Sequence, residues 1–147
     1  MKEGVVREKF KRLVVERFDF LKREFGCTRT VRSGGAEYAP TYRNEDVEVV
    51  LTFAYPGLPL LELEWNDGTA VREFRYAPSK TGTEGALRRR YYRLVEATPK
   101  NRTPGSEEIF EIAAAALDLQ VVSLRGALAN IEKQKPPRGA WVAGSVR

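Results

Sequence analysis

Histidine is absent from this 147-residue chain, and cysteine occurs once. The first absence excludes every mechanism that needs an imidazole: Ser-His-Asp triads, Cys-His pairs, and His-ligated zinc or iron. The second excludes an internal disulfide and a cysteine metal cluster, and Cys27 reads as a small buried apolar residue rather than a reactive thiol. Carboxylates, Lys, Tyr and Ser remain as catalytic groups in principle. A carboxylate-dependent hydrolase would need Glu62 and Glu73 together in a concave pocket; the solvent face of a sheet is the favoured reading of those acids, so no catalytic residue, metal site or cofactor is assigned. A long apolar leader is also missing, because MKEGVVREKFKR interleaves charge with apolar side chains. No signal peptide is visible and no apolar run approaches a membrane span, so the expectation is a cytoplasmic protein that does not enter a membrane.

What is present is an ordinary globular composition, 42% hydrophobic and 31% charged, at a length suited to one domain. Over 5–25, Val6, Phe10, Leu13, Val14, Phe18, Leu21 and Phe25 recur at steps of three and four. They predict a helix with one apolar stripe, stopped by Gly26. Five strands are expected next, near 28–32, 37–43, 45–55, 60–65 and 70–76. Val47, Val49, Leu51, Phe53 and Tyr55 alternate onto one face. Pro40 argues for an edge or bulged second strand. Tyr55-Pro56-Gly57-Leu58 fits a type II turn, with Pro and Gly at its two central positions. Ser33-Gly34-Gly35 is a plain turn; with no helix following it is not a phosphate loop, and Lys80-Thr81-Gly82 lacks the upstream glycines of a nucleotide site.

Helices return after residue 80. Thr81-Gly82-Thr83-Glu84 has the spacing of a capping box for a helix over 83–97. Ser106 is an expected N-cap for the next helix, with Phe110, Ala113, Leu117, Val121 and Leu124 on its stripe. Gly126 is a candidate break before a last short turn. Residues 1–132 are expected to form the domain and 133–147 a basic Pro/Gly-containing tail, pinned by Trp141. The fold class is therefore α+β: an antiparallel meander sheet of four to five strands, an N-terminal helix and two or three C-terminal helices, packed mainly on one face.

Charge is segregated along the chain. Residues 79–104 carry seven Lys+Arg against two Asp+Glu, while 27–78 carry five against eight and 105–132 one against five. On a helical wheel, Leu87, Tyr91, Leu94 and Val95 fall together, Arg89, Tyr92 and Arg93 lie opposite, and Arg88 and Arg90 flank the apolar stripe. A solvated helix face explains this pattern except for its excess of positive charge. If the excess grips phosphates, Arg88, Arg89, Tyr92 and Arg93 are the candidates, joined by Lys133, Lys135 and Arg138 of the tail. No helix-turn-helix, zinc-finger or RRM signature accompanies them.

The hairpin at Asp67-Gly68 gathers acids instead. A two-residue loop pairs Glu64 with Val71 and Glu62 with Glu73, so Glu62, Glu64 and Glu73 share one face near Arg75. Solvated sheet faces routinely carry such acids. Direct opposition of Glu62 and Glu73 is unfavourable unless a cation or partner offsets it, which points to docking.

The order of the pieces carries a resemblance. Phe18-Asp19-Phe20-Leu21 and Glu24-Phe25-Gly26 end the first helix, Tyr42-Arg43-Asn44 precedes the strand bearing Val47, Val49 and Leu51, and LQVVSLRG sits in the closing helix. The layout over about 5–132 resembles small uncharacterised bacterial α+β proteins, some of them similar to immunity proteins of toxin systems. The resemblance implies a non-enzymatic protein-binding module and supplies no catalytic residue; whether the chain is a monomer or a homodimer stays open. Glu62, Glu64, Glu73, Arg89 and Arg93 are its candidate docking charges. The alternative is sequence-independent nucleic-acid binding through the helix over 83–97 and the basic tail.

Overall fold

The computed structural model describes residues 3–34, 37–102, 106–133 and 139–144. Helix α1 (Glu3–Phe25) leads into strands β1 (Thr28–Gly34), β2 (Glu37–Arg43), β3 (Val47–Ala54), β4 (Leu60–Asn66) and β5 (Val71–Tyr76). Helices α2 (Gly82–Ala97) and α3 (Ser106–Glu132) follow, and β6 (Trp141–Ala143) closes the chain. The six strands form one open antiparallel sheet in sequence order.

Sequence periodicity explains each layer. In β3 every second residue is buried, and in β4 Leu61, Leu63 and Trp65 are, so both strands turn one face inward. The α1 stripe of Val6, Phe10, Val14, Phe18 and Leu21 is wholly buried against that face. Phe10 stacks on Phe53 at 4.0 Å between ring centroids, and Phe18 meets Tyr42 at 5.6 Å. Each such aromatic contributes on the order of 2–3 kcal/mol by leaving water. Gly26 ends α1 at φ +65°, which lets the Cys27 N–H bond the Leu21 carbonyl at 3.0 Å.

Helices α1 and α3 run parallel. Lys9 lies over the Phe110 ring at 5.6 Å, Arg17 bonds Asp118 at 2.8 Å and Glu24 meets Arg125 at 3.5 Å. The sequence offset is the same in all three pairs, so both C-termini lie at one end of the molecule. α3 is long and apolar enough to cross a membrane by length and composition, with a mean hydropathy of 1.5 over an 18-residue stretch within Glu107–Glu132, whereas no such run was expected. Its Ile109, Ala113, Leu117, Leu124 and Leu128 belong to the core.

Several expectations need correction. The sheet has six strands rather than four or five: β6 comes from the segment read as a tail. It pairs with β5, and Trp141 is buried, donates to Ser123 Oγ at 2.8 Å and meets Tyr76 edge-on at 5.7 Å. Pro40 sits in an interior strand without a bulge; the β2–β3 ladder skips Ala39 and Pro40 and resumes in the same register at Thr41–Val50. The Tyr55–Pro56 peptide is cis and Gly57 N–H bonds Ala54 O at 2.7 Å, so the turn spans Ala54–Gly57 and is not type II. Thr81 is the N-cap of α2 but makes no side-chain cap bond. The Glu84 carboxylate is occupied by the Ser79 N–H and the Tyr76 hydroxyl. Helix α3 passes Gly126 unbroken, leaving two C-terminal helices. Val95 is 38% exposed, because α2 rests on the core only through Tyr91 and Leu94. The closing residues of the β1–β2 turn, 35–36, and the Ser106 cap side chain lie outside the described residues.

Candidate functional site: two charged ends

The hairpin of β4 and β5 is two residues longer than its Asp-Gly signal implies. Asp67 Oδ1 accepts from the Thr69 N–H, the Thr69 hydroxyl and the Ala70 N–H, which draws residues 67–70 into the loop. Asn66 therefore pairs with Val71, and Glu62 faces Arg75 rather than Glu73. A shift of two residues preserves the faces, so Glu62, Glu64 and Glu73 still share the uncovered side of the sheet. Glu62 is neutralised by Arg75 at 3.1 Å. Glu64 now opposes Glu73, and neither is free of other interactions. The three acids are only half-exposed and each is engaged.

The acidity is richer at the end of the sheet than on its face, and that end was not foreseen. Asn44 builds it: its Nδ2 donates to Phe25 O at 2.9 Å, tying the end of α1 to the β2–β3 turn. Its Oδ1 accepts from the N–H groups of Asp46 and Val47 at 2.7 and 2.9 Å. The Asn66 N–H bonds Asp46 O at 2.9 Å, stitching the β2–β3 turn to the β4–β5 turn. Between these turns and the ends of α1 and α3 lies a cleft of about 610 Å³. Phe25, Val47, Trp65, Leu128 and Ile131 supply its apolar wall; Glu24, Asp46, Asp67 and Glu132 supply its charge. Two shallower depressions of about 140 and 630 Å³ adjoin it around the same turn and add Glu45, Glu48 and Glu64.

Seven carboxylates thus line this end against one arginine, Arg43. Arg125, Arg72 and Arg43 pair with Glu24, Asp67 and Glu48, leaving Glu45, Asp46 and Glu132 without an ion pair among the described residues. The hydrogen bond from Thr69, then the contact with Arg72, holds the Asp67 carboxyl well below the usual carboxylate range. The C-termini of α1 and α3 both point here, each adding roughly half a negative charge. Glu132 closes α3, whose last turn holds no base, against the preference of a helix C-terminus for cations. Local stability alone does not explain that choice, and sites that break a local rule are where function concentrates. Among the described residues no group of three or more His, Cys, Asp or Glu is arranged to hold a metal ion.

The basic helix lies far from this end. Arg90 bonds Glu108 and Glu111 of α3, both at 3.0 Å, and so fastens α2 near the start of α3. From Glu111 to Ile131 the α3 axis runs about 30 Å. Gly85, buried in the first turn of α2, lets the backbone of Lys80 come so close that a methyl group there has no room. Arg89 reaches back to Lys80 O at 3.4 Å. Arg89 and Arg93 are exposed, Arg88 is half-buried and Tyr92 is 50% exposed. Arg88, Arg89 and Arg93 meet no carboxylate among the described residues, in contrast to Arg90. Lys133 is exposed beyond α3, on the acidic side, so it does not extend the α2 patch. Lys135 and Arg138 lie outside the described residues.

No protein-family model matches the chain, and no curated protein or solved structure compared with it does either.

Proposed function

We propose that this chain is a non-enzymatic protein-binding module, immunity-like, that receives a basic partner at the carboxylate-rich end of its sheet. The observation that carries this is the imbalance there: seven carboxylates around adjoining depressions, of which arginines pair with three, Glu24, Asp67 and Glu48. Such a field attracts a cationic surface over several ångströms and raises its association rate. The apolar wall of Trp65, Phe25, Leu128 and Ile131 gives an arriving side chain something to bury, which charge alone does not. The half-neutralised Glu62, Glu64 and Glu73 border that end as a polar rim.

The test is affinity capture from a lysate of the organism that encodes the chain, run beside the triple substitution Glu45→Gln, Asp46→Asn, Glu132→Gln. Support is a retained protein of net positive charge whose association slows at least tenfold with the triple variant and with added salt. A partner that is acidic, or that binds the variant equally well, contradicts the proposal.

A further inference from the structure

The outward face of α2 is left over once the acidic end has a role. We infer that this face binds single-stranded nucleic acid without sequence preference, with Arg88, Arg89 and Arg93 on phosphates and Tyr92 as a stacking surface. It does not rest on the protein-binding role, since it uses the opposite end of the molecule. Three observations support it.

First, the cations there are uncompensated. Among the described residues, salt bridges engage Arg17, Arg23, Arg43, Arg72, Arg75, Arg90 and Arg125, yet none engages Arg88, Arg89 or Arg93. Glu84, four residues before Arg88, is held by Ser79 and Tyr76, and the exposed Glu96, three residues after Arg93, pairs with none of these arginines among the described residues. Second, an aromatic ring stands among them. Tyr92 is 50% exposed, and its neighbour Tyr91, which packs on the core, holds it edge-on at 5.5 Å. A half-exposed ring braced by Tyr91, on the helix stretch that carries Arg88, Arg89 and Arg93, suits base stacking, which needs a π-face and no hydrogen-bond pattern. A carboxylate partner uses the arginines but gives the ring nothing. A duplex hides its base faces, so it too leaves Tyr92 idle. Third, the carboxylates of the acidic cleft lie toward the other end of α3: Ile131 is about 30 Å along the helix axis from Glu111, where Arg90 fastens α2, a span of several Debye lengths of about 10 Å at 0.1 M salt.

The experiment follows labelled oligo(dT) binding to the full chain by fluorescence anisotropy between 50 and 200 mM salt, with a duplex of equal length and polyglutamate as comparison ligands. Three phosphate contacts give a slope of log affinity against log salt near −2, or roughly a 20-fold loss across that range. Arg89→Gln with Arg93→Gln should shrink the slope to about −0.7. Tyr92→Ala should weaken binding roughly tenfold with the slope unchanged, and Tyr92→Phe should restore it. The inference is overturned if oligo(dT) is not retained at 50 mM salt. It is equally overturned if Tyr92→Ala has no effect, or if duplex or polyglutamate binds as tightly; the last result would make the helix a dock for an acidic protein.

Discussion

Gly85→Ala is a substitution whose sign the structure reverses. In an open helix the change gains about 1 kcal/mol, since alanine loses less backbone freedom and has the highest helix propensity. At Gly85 the new methyl group falls 2.5 Å from the Lys80 carbonyl carbon, closer still to its oxygen, and 3.3 Å from Arg89 Nη1. The arginine tip can swing away; the Lys80 backbone cannot move without dragging Ser79 and Thr81. Those residues hold the Glu84 carboxylate and the first α2 hydrogen bond, Gly85 N–H to Thr81 O at 3.0 Å. Overpacking of this kind costs about 1–3 kcal/mol beyond the propensity gain, and the lost Glu84 contacts add to it. A net loss of about 2 kcal/mol lowers Tm by roughly 4–8 °C in a chain of this size. Gly126→Ala in α3 is the internal control: it is exposed, nothing lies within 4 Å, and Tm should rise by roughly 1–3 °C. Thermal melts by circular dichroism with matched urea titrations read both. A Gly85→Ala protein melting at or above the wild type would refute the close approach of the Lys80 segment to α2.

Trp141→Phe removes the indole donor to Ser123 and should loosen β6 alone; amide exchange at Ala77 and Gly144, which bond across β5 and β6, quickens roughly fivefold for a loss of about 1 kcal/mol, with α1 unchanged. Equal exchange rates would show that Trp141 does not anchor the strand. The Asp67 carboxyl titrates lower in the folded chain than in the unfolded one, so its stabilisation is complete above the ordinary carboxylate range and fades as pH falls through the folded value. Asp67→Asn should therefore be less stable at pH 7 and flatten the decline in urea midpoints below about pH 4; an unchanged acid limb would discount the Thr69 and Arg72 contacts. Glu62→Gln should change stability by less than about 0.5 kcal/mol, since its pair with Arg75 is largely solvated. A loss above about 1 kcal/mol by urea titration would mean that the sheet face depends on that pair.

Much of the fold was legible because it is local. The α1 stripe and the β3 alternation are periodicities that one side chain after another repeats, and burial follows them position by position. β6 escaped because three residues are too few for a period, and its cue, a lone Trp141 in a basic stretch, reads equally well as an anchor. The longer hairpin loop does leave a trace in the sequence: Asp67-Gly68-Thr69 lets one carboxylate collect three donors, a local bond set that outcompetes the two-residue turn. The outward order of Arg89, Tyr92 and Arg93 was visible on a helical wheel, whereas the uselessness of Glu84 as their counterion depends on Tyr76, in another element. The acidic cleft was invisible for a deeper reason. Glu24, Asp46, Asp67 and Glu132 come from four separate segments, and only the parallel course of α1 and α3 and the Asn44 and Asn66 bonds bring them to one end.

A molecule with an acidic cleft at one end of α3 and a basic helix fastened near the other is the centre of this account. Its most direct test is an amide NMR titration of the labelled chain with oligolysine and, separately, with oligo(dT). Oligolysine should move the resonances of Asn44 to Glu48, Asn66 to Gly68 and Leu128 to Glu132, and oligo(dT) those of Lys80 to Arg93. Shifts from both probes on the same residues, or scattered evenly over the surface, would contradict it.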